Sequence, residues 1–177
     1  MSSCILRAAC EAVAIIVLLA MLVQDWRWYG IQWPLFPLLA ILLLGSHLTM
    51  ASLPVVLFEA AVNFVLVGIQ LLALTLYVRL RFRSSLWHYL GIGDLLYWLA
   101  CCLYFSPVVF ILYHLISLVV ALGIYLLARN FSLSSKPLER IPLAGFQAAN
   151  LAFIILLFWV LPAFRPSSDD AVLSYFG

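Results

Sequence analysis

Apolar residues run along this chain in blocks about as long as a bilayer is thick, with short polar breaks between them. A membrane helix needs about 20 mostly apolar residues. Six segments meet that need approximately: 8–25, 33–50, 54–78, 88–105, 107–128 and 142–162. The second carries Pro34 and Pro37 near its start. The stretch between Arg83 and Arg129 is too long for one crossing, and Ser106-Pro107 divides it, because proline breaks a helix and restrains its predecessor. The pattern predicts an all-α, polytopic membrane protein with about six transmembrane helices in one integral-membrane domain, 1–177. The first block, preceded by Arg7, is superficially like a signal peptide. No small-x-small cleavage site followed by a soluble domain succeeds it, so it reads as the first membrane helix.

The polar positions orient the bundle, since cytoplasmic loops collect Lys and Arg. With the N-terminus outside, the inner loops hold Arg27, then Arg79, Arg81 and Arg83, then Arg129, Lys136 and Arg140. Only Arg7 and Arg165 remain outside, with Asp169 and Asp170 in the tail. In this topology Asp25 closes the first helix at its inner end, and Asp94 opens the fourth at its inner end. Both carboxylates therefore fall at the same depth, near the cytoplasmic face.

Composition narrows the class. The chain is 67% hydrophobic and 9% charged, whereas a soluble globule is about 25% charged. There is no basic stripe for phosphate contacts, which argues against nucleic acid. Cys4, Cys10, Cys101 and Cys102 form no Cys-x-x-Cys pair, so neither a metal nor any other cofactor is expected. Adjacent Cys101 and Cys102 read as small apolar packing residues.

An ionisable group in a membrane segment is costly and points to function. Asp94 ends the sequence Gly91-Ile-Gly93-Asp94, and Asp25 is its expected partner. Two carboxylates within a few ångströms cannot both ionise, so they share a proton. The ionised one can take a proton from water while the other donates to a carbonyl oxygen, which is the chemistry of an aspartyl peptidase. Gly91 and Gly93 would permit unusual dihedrals and close approach of an extended substrate. By itself, Gly-x-Gly-Asp reads more simply as a loop-to-helix junction with Asp94 as a cap.

With its neighbours, the chain resembles the type IV prepilin peptidase and preflagellin peptidase family of Gly-x-Gly-Asp aspartyl proteases. Gly91 to Asp94 matches the second catalytic motif. Asp25-Trp-Arg-Trp-Tyr-Gly-Ile31 matches the first up to the isoleucine, and Ile141-Pro-Leu-Ala-Gly-Phe146 is similar to a segment opening the last helix. The resemblance implies Asp25 and Asp94 as catalytic residues. It also implies a cleft bordered by Ile31, Ile141, Pro142, Gly145 and Phe146, a prepilin-like leader peptide as substrate, and a prokaryotic inner membrane. Three features depart from the family. Leu96 stands where a lysine is usual, and Gln32 where a proline follows the isoleucine. The cysteine-rich insertion associated with zinc and N-methylation is absent, so methyl transfer is not implied.

Other polar positions have simpler readings. Glu59, Asn63 and Gln70 share a helix face, and interhelical hydrogen bonding accounts for them better than a substrate cleft. His114 and Ser117 lie one turn apart and read as packing, and His88 as a solvated loop residue. Trp26, Trp28, Tyr29 and Trp33 form an aromatic belt. Arg79, Arg81 and Arg83 suit lipid headgroups. Two rivals to a peptidase remain: a non-catalytic membrane scaffold of the same family, and a proton-coupled transporter subunit using the same aspartates.

Overall fold

A computed structural model describes residues 2–28, 30–88, 90–130 and 143–160. They form six α-helices: α1 (Ser2–Trp28), α2 (Leu35–Leu48), α3 (Leu53–Phe82), α4 (Ile92–Cys101), α5 (Pro107–Asn130) and α6 (Leu143–Val160). The chain is an all-helical membrane protein. Three of its helices are long and apolar enough to cross a membrane: α1, α3 and α5.

Helix boundaries follow local chemistry. Pro34 precedes α2 at φ −65°, and Pro37 sits in its first turn, where an amide hydrogen would have no intrahelical partner. Ser52 caps α3 in an extended conformation, with proline just inside. At the other end of α3, Arg83 adopts a left-handed φ of 50° and its N–H donates to the Arg79 carbonyl. Pro107 opens α5, one residue past Ser106, whose carbonyl accepts from Phe110.

The fourth apolar block departs from expectation. A continuous helix over 88–105 is replaced by a 3-10 turn at Leu86–His88, the ten-residue α4, and hydrogen-bonded turns after it. Ten residues rise about 15 Å, half of a hydrocarbon core of about 30 Å. The end of α4 therefore lies inside the bundle; the turn after it occupies the last helical carbonyls, and the turn's own carbonyls need partners there. Two neighbouring helices supply them. Asn63 of α3 donates through Nδ2 to the carbonyls of Cys102 and Phe105, at 3.1 and 2.7 Å. His47 of α2 donates through Nδ1 to Leu103, at 3.0 Å.

The remaining packing places α1 against α2 and α6, α4 against α2 and α6, and α5 against α6 and α3. Tyr97, Trp98, Ala100 and Cys101 of α4 are all buried, as befits a helix enclosed on most sides. Helices α1 and α4 make no extensive contact with each other. They are joined through α2 and α6.

Asn63→Leu strips two carbonyls of their donor in a dry interior. It is expected to lower unfolding stability by about 2–4 kcal/mol, measured by equilibrium unfolding in micelles. Gln70→Leu, at a half-buried position on the same helix, is expected to change it by less than about 0.5 kcal/mol.

Candidate active site

Asp25 lies in the last turn of α1, where the helix dipole disfavours a carboxylate. Its compensation comes from the opposite dipole end of another helix. The Gly145 N–H, in the first turn of α6, donates to Asp25 Oδ2 at 2.8 Å. Asp94, in the first turn of α4, lies near the neighbouring amide, Ala144 N–H, whose dipole favours its charge. It accepts from Gly91 N–H through Oδ2, at 3.1 Å. The start of α6 thus holds Asp25 by a hydrogen bond and lies beside Asp94, and the two carboxylates are close enough to interact electrostatically. Asp25 is 8% exposed, and Asp94 is half-buried.

The bond from Gly91 realises the capping reading of Asp94 in a modified form. The carboxylate reaches back from the third helical position to the cap amide. It does so while also meeting Ala144 and Asp25, so capping and pairing coexist in one side chain.

The glycines provide room here rather than dihedral freedom. No described glycine has a positive φ, and Gly91 has an ordinary extended geometry at φ −73°, ψ 147°. A Cβ on Gly91 would stand 3.2 Å from Asp94 Oδ2. One on Gly145 would stand 3.0 Å from both Cβ and Oδ2 of Asp25. At Gly93 a Cβ would meet only the Phe36 ring edge, at an ordinary 3.5 Å.

The expected cleft residues divide. Gly145 touches Asp25 directly, and the Phe146 ring meets Trp26 edge-on at 5.9 Å. Ile31 is half-buried and packs inward against the hydrophobic core. Ile141 and Pro142 lie outside the described residues, as does Tyr29. Trp26, Trp28 and Trp33 are largely exposed at this end of the bundle. Leu96 packs against the core. Gln32 has a use that proline could not serve, since its N–H donates to Gln24 Oε1 at 2.9 Å, beside Asp25.

The polar residues of α3 serve packing. Asn63 holds the turn after α4, as described, and Glu59 pairs with His47 Nε2 at 3.2 Å. Because His47 Nδ1 donates to Leu103, one imidazole ring links the turn after α4 to Glu59 of α3. His114 stacks on Phe110 and meets Trp98 edge-on, while Ser117 Oγ donates to the His114 carbonyl rather than the ring. No nucleophile–base pair forms there.

Sequence patterning assigned no role to Glu11 or Gln147, both buried. Glu11 is 1% exposed. It accepts from Ser46 Oγ at 3.1 Å and Trp159 Nε1 at 2.6 Å, with Arg7 Nε 3.9 Å away. It lies 14 residues before Asp25, about 21 Å along α1, and binds the far end of the bundle together. A lone glutamate one turn from an arginine was the available signal. Gln147, fully buried, gave none beyond being an amide in an apolar block. No group of three or more His, Cys, Asp or Glu side chains suited to a metal ion occurs among the described residues.

Comparison with protein-family models, curated proteins and solved structures yields no match. The chemistry of the site therefore rests on its geometry.

Gly145→Ala is expected to displace the Asp25 carboxylate and to lower stability by about 1–3 kcal/mol. Gly93→Ala, with open space beyond ordinary contact, is expected to stay within about 0.5 kcal/mol of the parent. Unfolding curves of the two variants, run side by side, check the contrast.

Proposed function

We propose that this protein is an intramembrane aspartyl peptidase, similar to prepilin peptidases, that cleaves leader peptides at the cytoplasmic face of a prokaryotic inner membrane. The observation that carries this reading is the convergence of Asp25 and Asp94, from helices with no extensive contact, at the first turn of α6, where Gly145 N–H donates to Asp25 and Asp94 comes near Ala144 N–H. A structural role would need neither carboxylate to face the other, because each amide could be capped alone. Two interacting carboxylates share a proton and divide the roles of base and acid toward water and a peptide carbonyl. The titration belongs to the pair, so neither residue is assigned one role.

Asp25 uses Oδ2 for Gly145, which leaves Oδ1 for the attacking water. A peptide bond is cut only where the substrate leaves helical geometry. The separation of α1 from α4 gives an extended segment a place beside the pair, with Gly91 and Gly145 keeping side chains out of its way. The N-terminus lies outside in this reading, and Arg27, Arg79, Arg81 and Arg83 lie at the cytoplasmic surface with the pair. No metal or organic cofactor takes part.

A second reading, a non-catalytic scaffold of the same ancestry, is favoured by Leu96, which packs in the core where relatives carry a lysine. The two are separated by co-expressing each variant with a prepilin-like substrate. Asp25→Asn and Asp94→Asn are each expected to reduce cleavage by about 100-fold or more while membrane insertion persists. Unimpaired processing by both would sink the peptidase, and purified parent protein that binds leader peptide without cutting it would favour the scaffold.

A further inference from the structure

The pair of aspartates is held by two helices with very different supports. Helix α1 lies along α6 over much of its length, whereas short α4 meets α6 sparingly. In lipid there is no hydrophobic drive between helices, so polar bonds carry much of the registration. The bonds between α4 and α6 form a ladder. Its first rung is the approach of Asp94 to the Ala144 N–H. One turn further along both helices, Tyr97 and Trp98 meet Gln147.

That second rung is dense. Trp98 Nε1 donates to Gln147 Oε1 at 2.8 Å, and Gln147 Nε2 donates to Ser117 Oγ of α5 at 3.4 Å. The Gln147 carbonyl lies 2.9 Å from the Tyr97 hydroxyl and 3.1 Å from that of Tyr113, and the two hydroxyls are 2.5 Å apart. With one proton each, one hydroxyl donates to the carbonyl and the other to its neighbour. Gln147 thus engages both halves of its side-chain amide and its carbonyl, while fully buried. An amide in such a place is stable only when satisfied, and here the satisfaction fixes both the height and the rotation of α4 against α6. Asp94, Tyr97 and Trp98 are spaced to lie on one face of α4, so whatever sets the latter two sets Asp94.

We infer that Gln147 is a positioning residue for the proposed aspartyl chemistry: by locking α4 to α6 it sets the separation of Asp94 from Asp25. It touches neither carboxylate. Loss of the lock lets α4 shift by part of a turn, which loosens the coupling between the two groups without removing either. This inference rests on the peptidase reading for its catalytic consequence, and on geometry alone for its effect on the pair.

The test uses Gln147→Met, which keeps length and loses the amide, and Trp98→Phe, which deletes the same hydrogen bond from α4 while retaining an aromatic ring. The full-length protein in micelles is titrated by infrared difference spectroscopy of the aspartate carboxyl bands, assigned with Asp25→Asn and Asp94→Asn. Each single variant is expected to bring the two titration midpoints closer together, and the double variant to add little beyond Gln147→Met, since the Trp98–Gln147 bond is lost in both. Turnover of leader peptide is expected to fall about 10- to 100-fold in kcat with KM nearly unchanged. A purely structural residue would lower thermal stability and leave the midpoint separation as it was. That outcome in Trp98→Phe overturns the inference, even if Gln147→Met fails to fold. Parent protein that never cleaves peptide defeats the peptidase reading instead, and the midpoint separation still decides the role of Gln147.

Discussion

In hydrocarbon, a chain that leaves helical geometry must find partners for its carbonyls, and α4 gives way to a turn after ten residues. Asn63 and His47 answer that requirement from two other helices, at one buried turn. Much else in the bundle follows from it. The turn can reverse directly into α5 because its carbonyls are already occupied. The N-terminus of α4 then stands beside that of α6, with the two helices running parallel. Parallel neighbours bring two positive dipole ends together, and two carboxylates are the natural complement.

That complementarity explains how a carboxylate at the wrong end of α1 is tolerated. Asp25 sits where its own helix repels it, and the amide of Gly145 reverses the local field. Asp94 sits at a favourable end, accepting from the Gly91 N–H at the start of its own helix and lying near the Ala144 N–H at the start of another. The two residues are chemically alike but differently held. The bulk excluded at Gly145 is as much a part of this site as the oxygens, because an added methyl would occupy the space of the Asp25 side chain.

Much of this was legible in the residues. Hydropathy marked the helices, Ser106-Pro107 marked the reversal, and the parity of crossings placed Asp25 and Asp94 at one end. The length of α4 was hidden, because an apolar block reads alike whether it is helix or a turn enclosed by other helices. Asn63 was visible as a polar residue in a membrane, but its partners are backbone carbonyls, which carry no sequence signature. Gln147 and Glu11 were obscured for the same reason: each is a single polar side chain whose meaning lies in groups 30 or more residues away. The dihedral reading of Gly91 and Gly93 failed because steric room and conformational freedom leave the same letter in a sequence.

The lack of broad contact between α1 and α4 makes the pair of aspartates a joint rather than a block. Each half travels with its own helix, and only the first turn of α6 binds them as one object. A small rotation of that turn would part the carboxylates while every helix stayed folded. The geometry of the site is therefore a property of where α6 begins, not of any broad contact between α1 and α4.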